Sequence, residues 1–139
     1  DIEKVPGAGA AGGLGAGLMA FLGGQPVSGI ELVLNTLNFT EVVKDADLVF
    51  TGEGKFDGQS AHGKVPVGVA RACREFGVPV IVLAGMVTLD SESLHDEGIT
   101  ASFSIANGPM SLKESMEQAA VLLERQAAQV MRVLNYRRN

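Results

Sequence analysis

The sequence is poor in the residues that would place it in several large classes of protein. It contains one cysteine and no tryptophan among 139 residues, so an internal disulfide cannot form and a disulfide-stapled secreted fold is excluded. Cys73 lies in VGVARACREF, where we expect a small, buried, apolar side chain on a helix. This cysteine usage is typical of a reducing compartment, and we expect a cytoplasmic protein.

Long apolar runs and blocks of like charge are also absent. No stretch approaches the roughly 20 apolar residues that span a bilayer, and GAGLMAFLGG, which comes nearest, is short and rich in glycine. The net charge is −5 and no basic block is present, whereas nucleic-acid binding requires a basic face. We therefore expect neither a membrane nor a nucleic acid as partner.

The composition is that of one globular domain, with 46% hydrophobic and 19% charged residues, enough to build a core. The sequence does not begin with methionine and turns glycine-rich almost at once, in VPGAGAAGG. We expect it to be a piece of a longer chain.

The first third of the sequence has the periodicity of helices. A helix is predicted over residues 10–22, ended by Gly23. Ser28 is predicted to cap the next helix, with Glu31 in the capping-box position. Thr40 is predicted to cap a short third helix. The apolar stripe of the first helix comprises Leu14, Leu18, Phe21 and Leu22.

The rest of the sequence alternates between strands and helices. Strands are predicted over residues 48–50, 78–85 and 99–106, and helices over 65–76 and 111–136. This rhythm predicts an α/β fold, a parallel sheet with crossover helices. Three strands are few for such a sheet. We therefore expect its missing neighbours to come from chain outside this sequence or from a partner, such as a second copy.

A long polar segment, TGEGKFDGQSAHGKVP at residues 51–66, follows the first predicted strand. In open α/β sheets, ligands bind at the carboxyl ends of the strands, where loops lead into helices. The glycines allow backbone N–H groups to approach an anion, and the helix that begins near Pro66 offers the positive end of its dipole. We therefore predict a loop with a ligand site in this segment.

The charged residues of this segment are each open to two interpretations. Glu53 and Asp57 either hold Mg²⁺ or accept a proton from a substrate hydroxyl, or they are ordinary solvated carboxylates. Lys64 either neutralises a phosphate or lies on the surface. His62 is either a functional residue or a hydrogen-bonding loop residue.

Two generic glycine motifs are nearly matched, and each lacks an essential part. Residues 58–64 fit G-x-x-x-x-G-K, but Val65 stands where a P-loop needs a hydroxyl for Mg²⁺. Residues 7–12 fit G-x-G-x-x-G, but no convincing strand precedes them, as NAD binding requires. We predict neither fold. The glycine-rich helix start at residues 7–13 either binds an anion or permits close helix packing.

Three longer motifs carry a more specific resemblance. PGAGAAGG, TGEG-x-x-D-x-QS and HGKVP occur in that order, followed by the strand VPVIVLAG, and together they resemble the C-terminal part of the bacterial glycerate kinases. The resemblance covers nearly the whole chain. It implies two α/β domains with the active site in the cleft between them. Residues 1–139 would then be the C-terminal segment of one discontinuous α/β domain.

The same resemblance implies that the γ-phosphoryl group of ATP, with Mg²⁺, is transferred to a hydroxyl of D-glycerate. Such a reaction needs positioning, charge neutralisation and an acceptor for the hydroxyl. Asp57 would accept the hydroxyl proton, Lys64 would offset the developing charge, and Glu53 and Asp57 would hold the metal. The residues around phosphate, glycerate or metal would be Gly52, Glu53, Gly54, Gln59, Ser60 and His62. The glycines of the anion-binding helix start would be Gly7, Gly9, Gly12 and Gly13.

Three other functions remain open at this stage. The chain could be a non-catalytic module that binds a phosphorylated ligand or another anion. It could be a structural half that forms a site only when the missing chain docks, in which case an exposed sheet edge should cause self-association. It could also be a small NAD-dependent enzyme, which a test for nicotinamide binding would exclude.

Overall fold

The computed structural model describes residues 2–61 and 64–136, and within them three strands form one sheet: β1 Val49–Phe56, β2 Val80–Val87 and β3 Ile99–Ser104. The strands are parallel and lie in the order β1-β2-β3. The predicted α/β class with a short parallel sheet is therefore confirmed.

Helices connect and cover these strands. The α-helices are α1 Ala10–Leu22, α2 Gly29–Thr36, α3 Phe39–Val43, α4 Val65–Arg74, α5 Leu112–Glu117 and α6 Ala119–Asn135. Short 3-10 turns cover Ile2–Lys4, Gly58–Ala61 and Leu89–Glu97. As predicted, Pro66 lies in the first turn of α4 and a left-handed glycine, Gly77 with φ 67°, follows its end.

The central strand β2 carries the core on both of its faces. Val80, Val82 and Ala84 pack in a cluster with residues of α4, whereas Ile81 and Leu83 pack in a second cluster with residues of α6. All five side chains are buried. A strand covered on both faces reads as a continuous apolar run, and this is why β2 is recognisable in the sequence.

The first strand is longer than predicted. The expected strand ended at residue 50 and gave way to a loop, but β1 continues to Phe56, which pairs with Val87 of β2. The prediction of a loop over the first part of residues 51–66 is therefore wrong.

The physical reason lies in the glycines that suggested a loop. A Cβ atom on Gly52 would lie 2.6 Å from the Leu83 carbonyl oxygen, and a Cβ on Gly85 would lie 2.7 Å from the Gly54 carbonyl oxygen. Only glycine permits such a close approach of two strands without a shift of the backbone. These residues keep β1 and β2 together.

The predicted helix ends are confirmed only in part. Gly23 ends α1 in the left-handed region, with φ 64°. Ser28 occupies the N-cap of α2, but its side chain makes no cap hydrogen bond, so the predicted capping box is wrong; Ser28 and Glu31 instead line a groove against α4. Thr40 lies inside α3, which begins after Asn38 with φ 49°, a left-handed conformation that asparagine tolerates.

The C-terminal helix is divided where a single helix over residues 111–136 was predicted. Gln118 leaves the helical conformation, with φ −101° and ψ 4°, and separates α5 from α6. The break leaves Leu122 and Val130 of α6 buried on the second core cluster. Tertiary packing here overrides a continuous local helix preference.

The apolar stripe of α1 is not covered by the rest of the described chain. No residue of α1 is buried, and the side chains of Phe21 and Leu22 are 88% and 76% exposed. Among the described residues, no helix combines the length and apolar character needed to cross a membrane. The apolar stripe of α1 is therefore exposed on the described chain.

Candidate functional site

The candidate site lies at the carboxyl ends of β1 and β2. Asp57 follows β1 directly and precedes the 3-10 turn Gly58–Ala61. Lys64 precedes α4 as its N-cap residue, and Thr88 follows β2, where its N–H donates to the Phe56 carbonyl at 3.1 Å. This edge of a parallel sheet is where ligands bind in open α/β folds.

Asp57 lies between two lysines. Lys55 Nζ is 3.0 Å from Asp57 Oδ2, and Lys64 Nζ is 3.3 Å from Asp57 Oδ1. The Asp57 residue is 8% exposed, whereas the side chains of Lys55 and Lys64 are 59% and 34% exposed. The buried carboxylate therefore holds two ammonium groups that still face solvent.

This arrangement keeps Asp57 ionised. The hydrogen bond from Lys55 lowers the pKa of the Asp57 carboxyl below its usual range, and Lys64 adds to the effect, whereas desolvation opposes it. An ionised carboxylate accepts hydrogen bonds and does not donate them. Asp57 can therefore accept a hydrogen bond from a substrate hydroxyl at neutral pH.

Lys55 is the residue that sequence reasoning missed. Residues 51–56 were predicted to be a loop, in which the direction of a side chain cannot be inferred. In an extended strand, residues two apart point to the same side, and this periodicity would have placed Lys55 beside Asp57. The signal was present, but it required knowing that β1 continues to Phe56.

Glu53 differs from Asp57 in its bonding. Its Oε2 atom is buried and has no hydrogen-bond partner among the described residues. Both Asp57 oxygens, in contrast, are already paired with lysines. A buried oxygen without a partner is costly, so of the two carboxylates predicted to hold a metal, Glu53 is the one that retains a free oxygen for a hard cation such as Mg²⁺.

The described residues contain no group of three or more His, Cys, Asp or Glu side chains that could together hold a metal ion. Mg²⁺ usually keeps several waters and binds through one or two carboxylates plus substrate phosphates. The chemistry of Glu53 is therefore compatible with a magnesium ion that arrives with a phosphorylated substrate.

The other predicted residues of the polar segment lie around this cluster. Gln59 is exposed on the 3-10 turn, and Ser60 belongs to the same turn. His62 lies outside the described residues. Gly52 and Gly54 are strand residues of β1, and a Cβ atom on Gly54 would meet nothing within 4 Å.

The glycine-rich start of α1 is not a regular helix N-terminus. Ala11, Gly12 and Gly13 have φ angles of 50°, 68° and 95°, so the backbone is left-handed where a helical turn was predicted. Gly7 is also left-handed, with φ 92°, and its carbonyl accepts the Ala10 N–H at 3.0 Å. Gly9 precedes α1 as its N-cap residue. α1 packs chiefly against the turn Ile2–Lys4.

The described part of the chain has cavities away from the charged cluster of Lys55, Asp57 and Lys64. Two cavities of the described part have volumes of about 280 Å³ and 470 Å³, and neither is lined by Lys55, Asp57 or Lys64. The first lies between α2 and α4, and the second is a mostly apolar groove that reaches Glu53 beside α6.

Comparison with known proteins gives consistent results. A family profile described as the glycerate kinase family matches residues 1–135. A glycerate kinase of Halalkalibacterium halodurans is 48% identical over 139 residues, which are 100% of this chain and 37% of that protein. A glycerate 2-kinase of Escherichia coli K12 is 50% identical over 119 residues, 86% of this chain and 31% of that protein.

A solved structure agrees with the fold. A crystal structure assigned to glycerate kinase 2 from Salmonella typhimurium LT2 superposes with a TM-score of 0.72 and 39% identity, covering 95% of this chain and 33% of that one. The chain thus spans about a third of the length of the proteins it matches.

Proposed function

Because the chain belongs to the glycerate kinase family, we propose that it forms the C-terminal part of an enzyme that transfers the γ-phosphoryl group of ATP to a hydroxyl of D-glycerate. The observation that carries this proposal is the buried carboxylate of Asp57 held between Lys55 and Lys64 at the carboxyl ends of the strands. A site for phosphoryl transfer needs this combination of an acceptor and fixed positive charge.

In this proposal Asp57 accepts the hydrogen bond of the attacking glycerate hydroxyl. The two lysines make Asp57 a weak base, because they lower the pKa of its carboxyl. Phosphoryl transfer passes through a loose transition state, in which the hydroxyl oxygen has formed little of its bond to phosphorus. Little charge has then developed on that oxygen, so a weak base is sufficient. The main task of Asp57 is then to orient the hydroxyl and to receive its proton late.

Lys55 and Lys64 neutralise the charge of the transferred phosphoryl group. Each ammonium has three donors, of which Asp57 occupies only some, and both side chains remain partly exposed. Fixed cations beside a transferring phosphoryl group stabilise the charge on its equatorial oxygens without reorganisation during the reaction. Gln59 and Ser60 lie on the adjoining turn. With His62, they are proposed as substrate-binding residues on the strength of the family resemblance.

Glu53 would hold Mg²⁺ through its unpaired Oε2, and Asp57, whose two oxygens are paired with lysines, would be the less available carboxylate. Bound Mg²⁺ supplies charge neutralisation and orientation of the ATP phosphates. Since ATP is the phosphoryl donor, we place the reaction in the cytoplasm. Gly52 contributes by letting β1 run close to β2, and Gly54 by leaving the backbone of β1 accessible.

The chain supplies one wall of the cleft, and the remainder of a longer kinase chain supplies the other. Two observations support this part of the proposal: the side chains of Lys55 and Lys64 face solvent, and the apolar face of α1 is exposed. A contiguous exposed apolar surface marks an interface. The left-handed backbone at Gly12 and Gly13 would then face the missing chain or the substrate carboxylate, together with Gly7 and Gly9.

The test uses steady-state kinetics of the full-length kinase that contains this chain. Lys64→Met and Lys55→Met should each lower kcat with Mg-ATP and D-glycerate, by roughly 10–1,000-fold for the loss of a charge contact to the transferred group. Lys113→Met is the matched control, because Lys113 is exposed and pairs only loosely with Glu117 at 3.9 Å; its kcat should equal that of the wild type. Equal activity of all three variants would refute the assignment.

The same panel separates the kinase from a binding module. Saturable binding of ATP or D-glycerate by the wild-type protein with no phosphorylated product would favour the non-catalytic module. Loss of binding in Lys55→Met and Lys64→Met, in that case, would still locate the anion site at this cluster.

A further inference from the structure

A second carboxylate is fixed against the turn that follows Asp57. Asp90 lies in the 3-10 turn Leu89–Glu97 after β2, with its carboxylate against the Gly58 backbone; the Thr88 hydroxyl and the Gly58 N–H lower the pKa of the Asp90 carboxyl. The approach is close, because a Cβ atom on Gly58 would lie 2.9 Å from Asp90 Oδ2 and 3.2 Å from the Asp90 carbonyl oxygen. The two turns, Gly58–Ala61 and Leu89–Glu97, are therefore joined at this point.

Asp90 is itself held by its own turn. The Thr88 hydroxyl donates to Asp90 Oδ1 and also lies 3.3 Å from the Phe56 carbonyl oxygen. The Ser93 hydroxyl donates to the Asp90 carbonyl at 3.1 Å. These bonds fix the Asp90 carboxylate although the residue is exposed. An exposed aspartate with this many partners is ordered rather than freely solvated.

The consequence concerns Asp57. The residue before it, Phe56, is bonded through its carbonyl to the Thr88 N–H at 3.1 Å. The residue after it, Gly58, lies against the carboxylate and the carbonyl oxygen of Asp90. Both peptide neighbours of Asp57 are therefore held by the segment 88–90, and the direction of the Asp57 side chain is set from both sides.

We infer that Asp90 is a positioning residue of the phosphoryl-transfer site: its carboxylate holds the Gly58 N–H and so fixes Asp57 between Lys55 and Lys64. Asp90 touches none of the reacting groups in this account. The expected effect of Asp90 on kcat rests on the proposed function, whereas its effect on the order of the turn Gly58–Ala61 does not.

Two substitutions of Asp90 separate the hydrogen bond from the charge. Asp90→Asn keeps an oxygen that can accept the Gly58 N–H and removes the charge. Asp90→Ala removes both. Glu92→Ala is the matched control, because Glu92 is an exposed acidic residue of the same 3-10 turn.

The experiment measures kcat and KM of the full-length kinase and amide hydrogen exchange over residues 57–61. Asp90→Ala should lower kcat by on the order of 10–100-fold, because a displacement of about 1 Å of a catalytic group costs this much, while KM changes less than about threefold. Exchange at Gly58 should become faster. Asp90→Asn should recover most of the lost kcat, and Glu92→Ala should behave as the wild type.

A second variant tests the contact from the other side. Gly58 does not have a left-handed backbone, so alanine at this position causes no backbone strain. Its Cβ would instead clash with the Asp90 atoms. Gly58→Ala should lower kcat as Asp90→Ala does. The double variant Gly58→Ala/Asp90→Ala lacks the Asp90 Oδ2 atom that would lie 2.9 Å from the new Cβ. Its loss of kcat should therefore be smaller than the product of the two single losses.

The outcomes distinguish this inference from the proposed function. If the wild-type protein transfers no phosphate to D-glycerate, the proposed function fails, and the hydrogen exchange of residues 57–61 still decides whether Asp90 holds the turn. If the wild type is active and Asp90→Ala keeps kcat and exchange unchanged, the inference is overturned. If Asp90→Ala does not fold, equal kcat in Gly58→Ala and the wild type overturns it instead.

Discussion

The two glycines of β1 give a direct test of how the strand is built. Gly52 and Gly54 lie two residues apart in β1, and each was predicted as a site residue from its place in TGEG. A Cβ on Gly52 would lie 2.6 Å from the Leu83 carbonyl oxygen, whereas a Cβ on Gly54 would meet nothing within 4 Å. Neither glycine has a left-handed backbone. Alanine at the two positions should therefore have opposite effects on stability.

The magnitude follows from the required displacement. Ordinary Cβ contacts begin near 3.4 Å, so Gly52→Ala would require Leu83 O to move by 3.4 − 2.6 = 0.8 Å. The obstacle is backbone of the central strand, and overpacking of this kind costs about 1–3 kcal/mol. At Gly54 alanine should stabilise by up to about 1 kcal/mol, because glycine inside a strand is unfavourable by that amount. The difference between the two variants is about 1–4 kcal/mol.

Urea unfolding of the full-length protein measures this difference. For an m-value of about 2 kcal/mol/M, the midpoint of Gly52→Ala should lie about 1 M below that of Gly54→Ala, with equal m-values. Gly85→Ala repeats the test on β2, since its Cβ would lie 2.7 Å from the Gly54 carbonyl oxygen. Equal midpoints for Gly52→Ala and Gly54→Ala would refute the account of strand pairing. A stable but inactive Gly54→Ala would assign that glycine to the substrate site.

Three further predictions follow from the packing and the charges. Leu94→Ala should destabilise the protein by about 2–5 kcal/mol, because Leu94 is 1% exposed, whereas Leu89→Ala, 89% exposed, should stay within about 0.5 kcal/mol of the wild type; similar urea midpoints would contradict this. Cys73 should react with a thiol reagent only on unfolding, because it is buried and burial raises the pKa of its thiol; rapid native labelling would contradict its place in the core. Lys55→Met should raise the pKa of Asp57, because Lys55 is the largest cause of its lowered value. Since the ionised carboxylate is the active form, the acid limb of the kcat/KM profile should move to higher pH. An unchanged acid limb would exclude Asp57 as the group that titrates there.

The parts of the fold that could be predicted are those encoded locally. β2 reads as a continuous apolar run because both of its faces are buried. The start and end of α4 follow from Pro66 and Gly77, whose backbone preferences act within one helical turn. The family resemblance was visible in three motifs, and the comparisons confirm it.

The parts that could not be predicted depend on distant chain. Glycine and charge in residues 51–56 resemble a loop, and only pairing with β2 makes them a strand. The apolar stripe of α1 was read correctly as apolar, yet nothing in the described chain covers it. The contact between Asp90 and Gly58 joins residues that are far apart in sequence, and local periodicity carries no information about such a contact.

The measurement that tests the central claim most directly is detection of the phosphorylated product. The full-length kinase is incubated with Mg-ATP and D-glycerate, and phosphoglycerate is measured by mass spectrometry for the wild type and for Asp57→Asn. The account predicts product with the wild type and a rate lower by roughly 10²–10⁴-fold when the acceptor carboxylate is replaced. Product at the wild-type rate from Asp57→Asn, in a folded protein, would contradict the assignment of the site.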